Sequence, residues 1–258
     1  MKRETKIFEK KLVRTRNRIE RKGLTMIKKA LRDQYRSFIE KAKLYTPDRW
    51  IEATEFISEE PIKDYFEKFY QMTAPLALMT YKHLKGEKDE TDDLWLGIFQ
   101  EEMRMYVSRM AGEKITTITG TSKEKIKGII REVLEQSEVE GLGIEKITGR
   151  LVEKVGENLR GNAVARARAI AQTEMIGASS YANKKAADST GLNYKKFWSH
   201  SGLEGVRETH IYNQQYTNKV NGINPDERYP NGVMFPGDPD GEPGEVINCR
   251  CTELYEIV

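Results

Sequence analysis

Both cysteines and two of the three histidines of this 258-residue chain fall between His200 and Cys251. Thiolate and imidazole are the preferred ligands of zinc, and a structural zinc site takes four. His210, Cys249, Cys251 and His200 are therefore candidate metal ligands, and zinc is the one cofactor the chain suggests. The Cys249-Arg250-Cys251 spacing is tighter than the Cys-x2-Cys pair of most zinc modules. The competing reading is two small side chains packed in a core, with His210 hydrogen-bonded beside them. A disulfide across a single residue is strained, and a reducing cytoplasm disfavours it. A second constellation is His210 with Arg207 and Glu174. A histidine beside an arginine and a carboxylate can move protons and offset charge on a phosphodiester. The structural alternative is a Glu174–Arg207 pair that docks a helix on its neighbours.

The elements that must position these groups change character along the chain. Leu24, Ile27, Leu31, Tyr35, Phe38 and Ala42 recur at helical steps within a helix expected from about Lys6 to Tyr45. Gly23 is a candidate break. Pro47 and Pro61 mark new helix starts, and Pro75 a kink or a local break. Residues 86–93 form a polar, acidic connection. Helix is expected from Leu94 to Met110, and again after Thr121-Ser122-Lys123-Glu124, which fits a capping box. Gly141-Leu142-Gly143 is a turn. An alanine-rich helix from about Ala163 to Ser189 ends at Gly191, a left-handed cap. Its small side chains allow close approach to neighbouring backbones.

After Gly191 the texture is that of a small mixed module. Strands are expected at Asn193–Ser199, Glu245–Asn248 and Thr252–Val258, with short ones near Val220 and Met234. One or two helical turns are expected over Val206–Tyr212. Phe235-Pro236-Gly237-Asp238-Pro239 is a shaped turn. The fold class that follows is a mainly α N-terminal region with a small α+β C-terminal module. The division expected is a helical region over 1–162 (a basic arm over 1–45, a body over 46–162) and a module over 163–258.

Charge separates the arm from the rest. Residues 1–45 hold 16 Lys and Arg against 5 Asp and Glu, a net of +11, within a chain whose formal charge is +3. Such an arm suits an anionic partner. Arg14, Arg16, Arg18, Lys28, Lys29 and Arg32 are the candidate contacts to nonspecific DNA; a solvated helix face is the bland alternative. No apolar run approaches the ~20 residues of a membrane span. The first residues lack the apolar stretch of a signal peptide, so the cytoplasm is the expected compartment.

Taken in order, Ala169-Ile170-Ala171-Gln172-Thr173-Glu174, Gly191, Trp198, Val206-Arg207-x-x-His210, Pro236-Gly237-Asp238-Pro239 and Asn248-Cys249-Arg250-Cys251 resemble the Mu F-like family of tailed-phage minor head, or head-morphogenesis, proteins. The likeness spans roughly Ala163 to Leu254. The family usually shows an arginine where Gln172 stands. It also shows an aspartate shortly before the Val-Arg-x-x-His element, where this chain has Glu204. The resemblance implies a virion component that supports head morphogenesis and acts in the host cytoplasm during assembly. Its implied partners are portal and capsid proteins and packaged DNA, with multiple copies per virion. Some relatives add a toxin or enzyme domain after the module, which is not expected here. An assembly protein is thus the expectation, and a nuclease-like or RNase-like enzyme or a zinc-stabilised binding module the alternatives.

Overall fold

The computed structural model describes residues 3–86 and 92–258, so residues 87–91 of the expected acidic connection lie outside the described part. The protein is mainly α, with one small antiparallel sheet near its C-terminus. In chain order the helices begin with α1 (Arg3–Ala42), α2 (Trp50–Ala53), α3 (Glu60–Gln71) and α4 (Ala74–Lys85). They continue with α5 (Asp92–Glu140), α6 (Ile144–Arg160) and α7 (Asn162–Ser189). Then come β1 (Tyr194–Ser199), α8 (Glu208–Lys219), α9 (Pro243–Val246) and β2 (Thr252–Ile257).

Several punctuation marks act as their chemistry requires. Pro61 lies in the first turn of α3, and the Ser58 hydroxyl accepts the Glu60 amide at 3.1 Å. Pro75 opens α4 after a local break, where its missing N–H costs nothing. Gly191 closes α7 with φ +67. Gly23 does not interrupt α1. A Cβ there would lie 2.1 Å from Cε2 of Phe69, so the glycine makes room for a ring.

Other expectations fail for local reasons. No helix begins at Thr121: α5 runs unbroken from Asp92 to Glu140, and the Thr121 hydroxyl donates back to the Thr117 carbonyl at 2.8 Å. Ile115, Thr119, Ser122 and Ile126 keep one buried face through this stretch, and burial outweighs the cap. The strand expected at Glu245–Asn248 is instead the one-turn α9, started by Pro243. Near Val220 and Met234 the described residues form no strand; there is only an isolated bridge between Lys196 and Ile223.

The chain divides into two compact units, and not at residue 162. One comprises residues 24–67 and 108–168; the other gathers residues 1–23, 68–107 and 169–258. In the first, Tyr35, Phe38, Trp50, Ile126, Ile130, Val133, Leu151 and Val155 form the core. The Trp50 indole donates to the Ala42 carbonyl at 3.0 Å, so its one polar atom is satisfied. Buried Gln34 donates to Ser58 O at 2.8 Å and to Thr119 Oγ1 at 3.0 Å, and accepts from Ser122 at 2.9 Å. Arg166 donates to the same Ser122 hydroxyl at 3.0 Å, a packing role.

The second unit is discontinuous in sequence. Thr80 of α4 donates to Asn183 of α7 at 2.9 Å, and Tyr106 of α5 stacks on Tyr181 at 4.1 Å between ring centroids. β1 and β2 pair antiparallel from Tyr194↔Ile257 to Ser199↔Thr252. A core of Ile176, Trp198, Ile223, Tyr229, Val233, Cys249 and Cys251 lies against the sheet. The Pro236-Gly237 turn packs on α7 backbone to backbone. A Cβ on Gly177 would meet Gly237 O at 2.8 Å, and Gly237 itself holds φ +77. Only glycine fits both places. No helix among the described residues is long and apolar enough to cross a membrane.

Candidate metal site

Three of the four ligands expected from the sequence come together. His210 stands in the first turn of α8, whereas Cys249 and Cys251 flank Arg250 in the segment that leads into β2. All three are buried, with exposures of 2%, 1% and 2%. The tight Cys-x-Cys spacing works because alternate residues of extended chain face one way. Both sulfurs reach the His210 ring, while the intervening Arg250 side chain reaches Gln172 at 2.5 Å and Glu20 at 3.4 Å. Asn248, at φ +58, reverses the chain just before this segment. Its amide is accepted by Thr173 Oγ1 at 3.1 Å, and its carbonyl accepts from Gln172 at 2.8 Å.

The donor atoms are spaced as a metal requires. His210 Nδ1 lies 3.3 Å from Cys251 Sγ and 3.8 Å from Cys249 Sγ, and no two of the three donors are more than 4.8 Å apart. For zinc bonds of about 2.3 Å to sulfur and about 2.05 Å to nitrogen, tetrahedral geometry places sulfur and nitrogen ~3.6 Å apart. The two separations bracket that value. The cluster can hold a metal ion.

The surroundings prepare the ligands. His210 Nε2 lies 3.0 Å from Glu245 Oε2. The same oxygen accepts from Asn231 at 2.8 Å and Thr209 at 2.9 Å. Burial pushes the Glu245 carboxyl up, but the bonds from Asn231, Thr209 and His210 outweigh it and hold the group below the usual carboxylate range. An ionised carboxylate only accepts, so the ring proton belongs on Nε2 and the Nδ1 lone pair faces the sulfurs. This is the carboxylate–histidine arrangement that orients metal-bound imidazoles. A hydrogen bond from Cys251 pulls the Cys249 thiol down to about 5 against the cost of burial. The same Cys249 contact, and burial, push Cys251 up. Trp198 closes the site from the side, its ring 5.0 Å from that of His210 at 64°.

His200 does not join the cluster. The turn that follows β1 folds back on it, and its Nδ1 accepts the Gly202 amide at 3.1 Å, with Gly202 at φ +67. Nor do the three groups of the acid–base constellation converge. Glu174 is buried and accepts a hydrogen bond from the Tyr70 hydroxyl. The Glu174–Arg207 pair is not formed as expected: Arg207 donates to the Ile247 carbonyl at 2.6 Å. His210 and Arg207 do line one cavity, of about 190 Å³, with Cys249, Cys251, Arg250 and Glu204; Glu174 does not line it.

A second cavity, of about 410 Å³, shares Ser201, Leu203 and Arg250 with the first. Lys10, Arg14, Arg16, Asn17, His200 and Glu9 also line it. Arg14 is exposed there, as expected of a DNA contact, whereas Arg16 is only 5% exposed. Arg16 reaches the Cys251 carbonyl at 3.1 Å, Thr252 Oγ1 at 3.0 Å and the Arg250 carbonyl at 3.1 Å. Burial lowers its pKa; Cys249, Glu20 and Cys251 act the other way. The signal was legible in the sequence. Leu12, Arg16, Ile19, Gly23 and Ile27 follow at three- and four-residue steps, which sets Arg16 on the inward face of α1. It is a clamp on the C-terminal segment, not a surface contact. Arg18, Lys29 and Arg32 are exposed and Lys28 half-buried, with Lys29 3.6 Å from Asp33.

A buried network escaped the sequence reading. Lys196 of β1 donates to the Met234 carbonyl at 2.8 Å and lies 3.8 Å from Glu253 of β2. Glu253 accepts from Tyr229 at 2.9 Å and from Tyr255 at 2.6 Å. Strand alternation placed Lys196 on one face with Tyr194 and Trp198. Nothing in the sequence showed that this face is covered.

No family model, no curated protein and no solved structure matches the chain.

Proposed function

We propose that this chain is a minor head protein of a tailed phage or prophage, with a C-terminal module held by zinc on His210, Cys249 and Cys251. It acts beside the portal or capsid during head assembly in the host cytoplasm, is carried in several copies per virion, and contacts packaged DNA. The observation that carries this reading is the convergence of the separated residues that resemble the Mu F-like family. Gln172 bonds Asn248 and Arg250, and the Pro236-Gly237 turn packs on α7. Trp198, His210, Cys249 and Cys251 form one cluster. Pieces scattered over about ninety residues of sequence are thus parts of one packed body, which supports reading them as one module. The nuclease alternative needs Glu174 beside His210 and Arg207, and the placement of Glu174 against Tyr70 speaks against it.

DNA association is supported by the larger cavity, where the exposed Lys10 and Arg14 stand with Arg250 and the one carboxylate of the lining is Glu9. Glu9 already accepts a hydrogen bond from Ser199. Lys10 and Arg14 form no ion pair among the described residues. Phosphate contacts of this kind are blind to sequence and sensitive to salt. Co-expression with the portal protein of the same phage tests the assembly role: the chain should elute with the portal ring, and its absence from the ring would overturn the reading. Binding of labelled duplex DNA across a salt series tests the second part. Lys10→Gln with Arg14→Gln should reduce the slope of log affinity against log salt by roughly 1.8, from two phosphates no longer neutralised. An unchanged slope would remove this cavity from the DNA contact.

A further inference from the structure

We propose that a metal held by His210, Cys249 and Cys251 keeps one coordination position open toward the cavity beside it, and that this position takes a phosphate group. The inference rests on the zinc reading above and adds what the site binds.

Zinc with three protein ligands completes its tetrahedron from solution, whereas a closed structural site draws all four ligands from the chain. Among the described residues the donor group stops at three. His200, the natural fourth, is turned to the Gly202 amide and lines the neighbouring cavity. Glu204 lines the cavity but is exposed and stands outside the donor group. All three ligand residues line that cavity, whose volume of about 190 Å³ exceeds the ~30 Å³ share of one water severalfold. A ligand larger than water therefore has room at the metal.

Its chemistry follows from the lining. Arg207 carries a guanidinium with no carboxylate partner among the described residues; its one hydrogen bond goes to the Ile247 carbonyl. That leaves other N–H donors of the planar fork for an oxyanion. Arg250 lines both cavities, so the metal cavity is continuous in charge with the Lys10 and Arg14 groove. A tetrahedral oxyanion can place one oxygen on the metal and another on Arg207, and phosphate suits both contacts.

Cobalt(II) in place of zinc tests this, because its visible bands report both tetrahedral coordination and exchange of one ligand. The full chain, loaded to one cobalt, would be titrated with inorganic phosphate, with a 5′-phosphorylated trinucleotide, and with the same trinucleotide lacking that phosphate. The expected result is a saturable band shift with either phosphate source and none with the blank. Whichever source binds more tightly identifies the ligand as the free ion or as a nucleic-acid end. Arg207→Gln should weaken the shift about tenfold while leaving the starting spectrum unchanged, as expected for loss of one charge-assisted contact. Stoichiometric cobalt with a spectrum indifferent to both phosphate sources would overturn the open position and leave the metal site standing. A Glu204→Gln spectrum that differs before any addition would make Glu204 the fourth ligand and also overturn it. A shift unaffected by Arg207→Gln would overturn the assignment of the cavity. Failure to bind cobalt at all would remove the metal reading itself.

Discussion

Glu245→Gln isolates the preparation of the metal site from its ligands. The substitution keeps size and leaves His210, Cys249 and Cys251 in place. It removes the charge that holds the imidazole proton on Nε2, across 3.0 Å. The glutamine oxygen can still accept from Asn231 or Thr209, which lie 2.8 and 2.9 Å from the wild-type oxygen. It satisfies those donors best when its own amide N–H group turns toward the ring. The proton then moves to Nδ1, where the metal should sit. Loss of such a supporting partner weakens metal binding about 10- to 100-fold, or about 1.4–2.7 kcal/mol. Glu245 keeps 21% side-chain exposure, and water can partly replace it, so the lower half of that range is expected. Zinc affinity would be read by competition with a chromogenic chelator, beside wild type and Cys251→Ser. Cys251→Ser, which removes a ligand, should lose more. An unchanged affinity for Glu245→Gln would refute the ring-orienting role. A loss equal to that of Cys251→Ser, with a lowered melting temperature in both zinc and chelator, would show general damage instead.

Two further outcomes follow from the packing. Burial raises the Glu253 pKa above the carboxylate range, with Lys196, Tyr255 and Tyr229 only partly opposing it. Its contribution to stability is therefore full below the ordinary carboxylate pKa and is lost as pH rises through the raised value. Glu253→Gln should flatten that decline, read as urea midpoints at acid and neutral pH, and an unaltered pH slope would contradict it. Gly177→Ala should cost about 1–3 kcal/mol through overpacking against the Gly237 carbonyl 2.8 Å away. Gly128→Ala, in open space on α5, should stabilise by up to about 1 kcal/mol; equal melting temperatures for the two variants would disprove the close approach.

Local rules carried the helical fold a long way. The stripe from Ile27 to Ala42, the start at Pro61, the local break at Pro75 and the cap at Gly191 are properties of neighbouring residues, and the structure keeps them. Thr121 and Glu245 misled for the opposite reason. A capping box specifies a helix start only if the chain before it is free to be non-helical, and the buried face of α5 denies that freedom. At Glu245 the strand pattern loses to the single turn begun by Pro243. The third member of the acid–base constellation, Glu174, failed to join because pairing between distant residues has no local signature. Glu174 met Tyr70, 104 positions away.

The sequence by itself determined which side chains could ligate a metal and the helix landmarks at Pro61, Pro75 and Gly191. Those are matters of residue type and of contacts a few positions long. Only the tertiary structure decided that His210 meets the two thiols while His200 turns away. It also decided that Arg16 on α1 clamps a segment 235 residues downstream, and that the unit holding the site is assembled from three stretches of chain. Each of these depends on which surfaces become buried together, and burial belongs to the folded body and to no window of its sequence.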